Sequence, residues 1–91
     1  MDRAKAEADS DRGTQALLKG YLPEAIEAFR AATQAAPNFA PAWRGLGLAN
    51  ERMGRRAEAI EAFRRYLRYA PQGAESEVVR TRLARLEAAP Q

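Results

Sequence analysis

The 91-residue sequence contains no cysteine and no histidine, which removes the thiol nucleophile, any disulfide framework and the two commonest zinc ligands together. Hydroxyl groups are scarce as well. Ser10, Ser76, Thr14, Thr33 and Thr81 are the only serines and threonines, and none has the makings of a catalytic triad. Gly45 and Gly47 flank Leu46 inside a helical pattern, without the further glycine and Lys-Ser/Thr that a phosphate-binding loop requires. No apolar run approaches the roughly 20 residues that span a bilayer, and Met1, Asp2, Arg3 and Ala4 offer no apolar signal core. These absences predict a non-enzymatic, cytoplasmic protein with no catalytic residue, no cofactor, no metal site and no membrane insertion.

What is present is alanine and arginine. A hydrophobic content of 46% beside 30% charged residues is the balance of one small globular domain. Twenty-one alanines against only seven aromatic residues indicate closely packed helices, since alanine costs least in a helix and lets backbones approach. The net charge of +3 is unevenly spread: residues 38–91 carry ten arginines against six glutamates, whereas residues 1–37 carry five basic and six acidic side chains. Guanidinium groups recognise carboxylate, phosphate and nucleic acid through paired hydrogen bonds, so each is a candidate partner. The interleaved glutamates fit a mixed, solvated face equally well.

Self-comparison yields the most informative feature. The segment Glu24-Ala25-Ile26-Glu27-Ala28-Phe29-Arg30 recurs unchanged as Glu58-Ala59-Ile60-Glu61-Ala62-Phe63-Arg64, thirty-four residues later. At the same offset Gly13 meets Gly47, Gly20 meets Gly54, and Pro37 meets Pro71. Gly20 and Gly54 follow apolar-periodic stretches where a left-handed residue can close a helix, and Pro37 and Pro71 follow the second helix of each pair. Pro23 and Pro41 suit first-turn positions. Helices are thus expected near 7–19, 23–35, 41–53, 57–69 and 74–87, with short loops making neighbours antiparallel and Gly13 and Gly47 letting each pair close. The carboxylate pairs Glu24/Glu27 and Glu58/Glu61 travel with the repeat and read as solvated faces.

A thirty-four-residue unit of two helices resembles the tetratricopeptide repeat family. Trp43, Leu46, Gly47, Gly54, Ala59, Phe63 and Pro71 occupy the places of that family's signature residues. The earlier copy keeps Gly13, Gly20, Ala25, Phe29, Ala32 and Pro37, but has Asp9 and Arg12 in place of Trp43 and Leu46. The resemblance implies an all-α, right-handed solenoid of five helices: one domain over 1–91, with repeats at about 6–39 and 40–73 and a capping helix at about 74–88. The basic clamp that some members use for a C-terminal carboxylate is not expected, because Ser10, Thr14, Gly45 and Val78 stand where it needs other residues and only Arg82 agrees.

At 100° per residue, Trp43, Leu46, Gly47 and Asn50 share the face of the third helix that packs on the fourth, with Trp43 in the core. Arg44, Leu48, Glu51 and Arg52 fall on an adjacent face, which in such solenoids lines the concave surface. Val79, Leu83 and Leu86 form the apolar stripe of the fifth helix, with polar Glu77, Arg80 and Thr81 opposite. Ala8, Asp11, Gln15 and Leu18 make a mostly polar outer face on the first. Residues 1–6 offer no stripe to bury and are expected to be dispensable.

The resemblance implies an adaptor or scaffold that binds a peptide segment or partner helix. The expected groove is Leu17, Arg44, Leu48, Glu51, Arg52, Val78, Arg82 and Arg85, a mainly basic strip suited to an acidic protein segment with apolar anchors. Two alternatives remain at this level. One is nucleic-acid binding through Arg52, Arg55, Arg56, Arg64, Arg65 and Arg68, disfavoured because no aromatic platform lies among them. The other is self-association into a homo-oligomer.

Overall fold

The structure is a computed structural model and describes residues 1–89. Five helices follow one another: α1 (Arg3–Lys19), α2 (Leu22–Ala35), α3 (Ala40–Arg52), α4 (Arg56–Tyr69) and α5 (Ala74–Ala88). No strand occurs among the described residues. Each helix packs on its successor, and α1 also touches α3. The all-helical fold and its stacked helix pairs are as the sequence predicts.

The predicted stops operate through one geometry used twice. Gly20 and Gly54 have φ of 80° and 76°, where a side chain is strained. Beyond each glycine the chain reverses so that the Tyr21 amide donates to Ala16 O and the Arg55 amide to Asn50 O, both at 2.9 Å. These bonds satisfy carbonyls that the helix end leaves free. Pro23 and Pro41 lie in the first turns of α2 and α3.

The core is organised around two phenylalanines. Phe29 of α2 packs with Leu17, Ile26 and Leu46, and Phe63 of α4 packs with Ala59, Tyr66 and Val79. A Cβ on Gly13 would lie 2.8 Å from the Phe29 ring, one on Gly45 2.3 Å from it, and one on Gly47 2.5 Å from Phe63. Gly13 and Gly47 therefore close their helix pairs as expected. Gly45 does the same between pairs, so Phe29 is gripped from α1 and from α3.

Two expectations about α1 are corrected. The helix begins at Arg3, not near residue 7, because the Asp2 carboxylate accepts from the Lys5 amide at 2.9 Å and caps it. Nor do the first residues lack buried contacts: the Asp2 amide donates to Ala35 O at 2.7 Å, and Ala6 is fully buried with Ala32, Ala36, Phe39 and Ala42. Asp9, in the place of Trp43, is only 5% exposed. Its carboxylate receives Lys5 Nζ at 2.6 Å and Arg12 Nη1 at 2.9 Å. Chiefly the Lys5 hydrogen bond, and after it the Arg12 bond and both cationic charges, hold its pKa below the ordinary 3.8 against the opposing effect of burial.

Candidate functional site

The face formed by α1, α3 and α5 carries the residues singled out in the sequence, and polar ties run across it. Arg52 is exposed and its Nη1 donates to Leu17 O at 3.2 Å, joining α3 to the end of α1. Arg82 Nη1 donates to Glu51 Oε1 at 2.8 Å, and Arg44 Nε lies 3.6 Å from Glu75 Oε2, so α3 and α5 are joined twice. The geometry follows from helical spacing: Arg44, Leu48 and Glu51 succeed one another along α3, and Glu75, Val78, Arg82 and Arg85 along α5.

These contacts change the composition of the expected strip. Leu17 is 7% exposed and belongs to the core around Phe29, so it is no groove contact. The reason is local: Leu17 sits where α1, α2 and α3 converge, and only its carbonyl reaches Arg52. Leu48 is half-buried and rests on both the Phe29 and the Phe63 clusters. Val78 stands free at 53% exposure, and Arg85 is exposed with no carboxylate partner among the described residues. Arg44 and Arg82 are already matched by Glu75 and Glu51. Glu75 was not anticipated, because it becomes a neighbour of Arg44 only through the stacking of α5 on the preceding pair.

The opposite side is built differently. Two adjoining cavities share Arg30 as a wall, the larger between α2 and the turn at Arg55 and the smaller between α2 and α4 over α3. The larger, about 500 Å³, is walled by Pro23, Ile26, Glu27, Gln34 and Arg55. The smaller, about 290 Å³, is lined by Trp43, Leu46, Asn50, Ala57 and Ala62, with Glu58 and Glu61 at its α4 wall. Trp43 is therefore half-buried rather than wholly in the core; its Nε1 donates to Pro37 O at 2.7 Å and the Arg65 guanidinium lies 5.2 Å from its ring centroid. Asn50 is 1% exposed; its Nδ2 donates to Leu46 O at 3.0 Å, and its Oδ1 has no donor. No cluster of acidic side chains capable of holding a metal ion occurs among the described residues, and no helix among them is long and apolar enough to cross a membrane.

The end of the array is held by arginine. Arg56 Nε donates to Leu86 O at 2.6 Å, and Arg56 Nη2 lies 3.4 Å from Glu87 O and 3.3 Å from Ala89 O, placing a cation at the carbonyl end of α5. Arg64 pairs with Glu87 beside it. Val79, Leu83 and Leu86 face the Phe63 cluster as predicted, while Glu77, Arg80 and Thr81 are exposed. Ser76 was missed: its buried Oγ donates to Ala70 O at 2.6 Å and ties the start of α5 to the end of α4.

Comparison with known families places this geometry. Residues 40–72, which hold α3 and α4, match the family model described as tetratricopeptide repeat. A search of curated proteins found no match to the chain. Members of the matched family are in general protein–protein interaction modules and typically not enzymes. Residues 40–72 thus match a tetratricopeptide repeat, and the packed helix pairs of the five-helix array are consistent with repeats of that kind.

Proposed function

We propose that this protein is a binding module that holds an acidic segment of a partner protein on the α1/α3/α5 face, with Val78 as the apolar anchor and Arg52 and Arg85 as the cations that meet it. The repeats in this reading run over 6–39 and 40–73, with 74–88 closing the array. The observation that carries it is the pairing pattern: Arg44 and Arg82 are matched internally by Glu75 and Glu51, whereas Arg52 and Arg85 have no carboxylate partner among the described residues. An acidic segment supplies that partner, and Val78 offers it exposed apolar surface. Nucleic-acid binding draws less support, because Arg56, Arg64 and Arg65 are engaged with the α5 carbonyls, Glu87 and Glu61 respectively.

The test is capture of partners by the wild-type protein beside Arg52→Glu and Val78→Asp. A protein recovered by the wild type alone is then titrated at two salt concentrations. Arg52→Glu should weaken binding most at low salt, since exposed charges are screened beyond a Debye length of roughly 10 Å at 0.1 M salt. Val78→Asp should weaken it at both. Unaltered affinity in both variants would remove this face from the reading.

A further inference from the structure

At one end of the array α1, α3 and α5 finish while α2 and α4 begin. Contacts draw the chain segments there together: Arg52 reaches Leu17 O, Leu22 and Met53 pack on one cluster, Pro23 and Arg55 border one cavity, and Arg56 holds Leu86 O. The thirty-four-residue offset makes positions 18 and 52, 21 and 55, and 22 and 56 equivalent in the two turns. The first turn fills them with Leu18, Tyr21 and Leu22, the second with Arg52, Arg55 and Arg56. An apolar edge therefore stands beside a cationic one.

Leu22, Arg52 and Arg56 are used by the fold. Leu18, Tyr21 and Arg55 are not. Leu18 is 79% and Tyr21 57% exposed. Tyr21 and Arg55 occupy the N-cap positions of α2 and α4 without a side-chain cap bond, where Asp, Asn, Ser or Thr would stabilise the helix. Arg55 also sets a positive charge at the positive end of the α4 dipole. Local choices that weaken the fold at two equivalent positions mark a surface kept for another purpose. Lys19, Arg52 and Arg85 add cations from last helical turns, and none of them, nor Arg55, has a carboxylate partner among the described residues. Of the acids nearby, Glu51 and Glu87 are matched by Arg82 and Arg64. Glu24 and Glu58 lie in first turns and border cavities at the side of the array. Cations are left in excess.

Shape narrows the occupant. Leu18, Lys19 and Tyr21 line none of the three cavities, so the apolar side chains project from the end instead of walling a pocket. A bilayer surface moulds itself around such projections: the leucine enters the acyl boundary, the tyrosine takes the interfacial level, and Lys and Arg stay among the phosphates. Anionic lipid supplies the charge that these cations lack. We propose that this end attaches the protein reversibly to the surface of an anionic membrane, through Leu18 and Tyr21 in the headgroup region and Lys19, Arg52, Arg55 and Arg85 against the lipid anions. Attachment of this kind needs no spanning helix. It does not rest on the α1/α3/α5 reading, and because Arg52 and Arg85 border both surfaces the test avoids them.

The experiment is co-sedimentation of the whole chain with vesicles of phosphatidylcholine alone and of equal parts phosphatidylcholine and phosphatidylserine, at low and high salt. The protein should pellet with the anionic vesicles only, and less as salt rises. Arg55→Gln should weaken partition about fivefold, the factor for one cation near an anionic surface. Arg68→Gln, an exposed arginine in the last turn of α4 and so at the opposite end, should leave it unchanged. Leu18→Ser combined with Tyr21→Ser should weaken it about tenfold at both salt concentrations, whereas Val78→Ser on the α1/α3/α5 face should not. Soluble glycerophosphoserine, which carries the headgroup without acyl chains, should not compete. Absence of pelleting, equal pelleting with both vesicles, equal loss in Arg55→Gln and Arg68→Gln, full binding by the Leu18/Tyr21 variant, loss in Val78→Ser, or competition by the soluble headgroup would each overturn the proposal. Should the Leu18/Tyr21 variant fail to fold, the two arginine variants decide.

Discussion

Replacing Gly45 by alanine sets two effects of opposite sign against each other. Within a helix, alanine is favoured over glycine by about 1 kcal/mol, so local propensity alone predicts a more stable protein. The added Cβ, however, would lie 2.3 Å from Phe29 Cε1, 2.4 Å from Cζ and 2.7 Å from Cδ1. Retreat of the ring is restricted, because it already lies close against Gly13 of α1, where a Cβ would stand 2.8 Å from Phe29 Cδ1 and Cε1. The remaining response is to part α3 from α2, which loosens the packing of Leu46 and Ala49 as well. Overpacking of this kind costs about 1 to 3 kcal/mol, and with no soft neighbour the upper value applies. The net expectation is a loss of about 2 kcal/mol, or a urea midpoint lower by about 1 M for a domain of this size. The second half of the assay is Phe29→Leu combined with Gly45→Ala. Removing the ring should recover part of the overpacking, so the double variant should be more stable than the two single losses predict, by at least about 0.5 kcal/mol. A Gly45→Ala protein as stable as wild type, or strict additivity in the pair, would show that Phe29 does not bridge the two helix pairs.

Other residues give shorter tests. Arg56→Ala should cost about 1 to 2 kcal/mol through loss of the charge-assisted bond to Leu86 O, and hydrogen exchange should quicken in α5 while α1 stays unchanged; uniform exchange across the chain would contradict its local role. Asp9 has a pKa lowered by its partners, so its contribution is present above the ordinary carboxylate value and is lost as pH falls through the lowered folded value. Asp9→Asn should therefore flatten that acid limb of the stability profile, and an unchanged limb would assign it to other carboxylates. Deleting residues 1–5 removes the Asp2 cap, its bond to Ala35 O and the Lys5 partner of Asp9, and should lower stability by about 2 kcal/mol. A thermal midpoint equal to that of the intact chain would restore the view that this segment is dispensable.

Helix number, order and stops were legible because they depend on short-range chemistry: Gly20, Gly54, Pro23, Pro41 and the repeated apolar spacing act within a few residues. The start of α1 was not, since it depends on an Asp2 amide meeting Ala35 O across the fold. Asp9 and Arg12 looked like weak substitutes for Trp43 and Leu46, yet with Lys5 they form a polar cluster over the same ground. The periodicity of α3 assigned Arg44, Leu48, Glu51 and Arg52 to one side of that helix. It had no means of showing that Glu75 would arrive beside Arg44, that Leu17 would be covered, or that Arg30 and Arg55, twenty-five positions apart in the numbering, would border one cavity. Those facts arise from how the pairs stack, which a single helix's pattern does not encode.

The ties on the α1/α3/α5 side have a mechanical meaning. Arg52 to Leu17 O, Arg82 to Glu51 and Arg44 to Glu75 fasten the alternate helices α1, α3 and α5 along one rim, while a cavity lies between α2 and α4 along the other. A stack fastened along one rim bends most readily by changing the spacing of the opposite rim, so the softest deformation of this array is a change in curvature about the tied side. Two of the fasteners are partly exposed ion pairs that ionic strength weakens. Curvature, and with it the reach of anything attached to the two ends, would then respond to the salt content of the surroundings while the helices themselves stay intact.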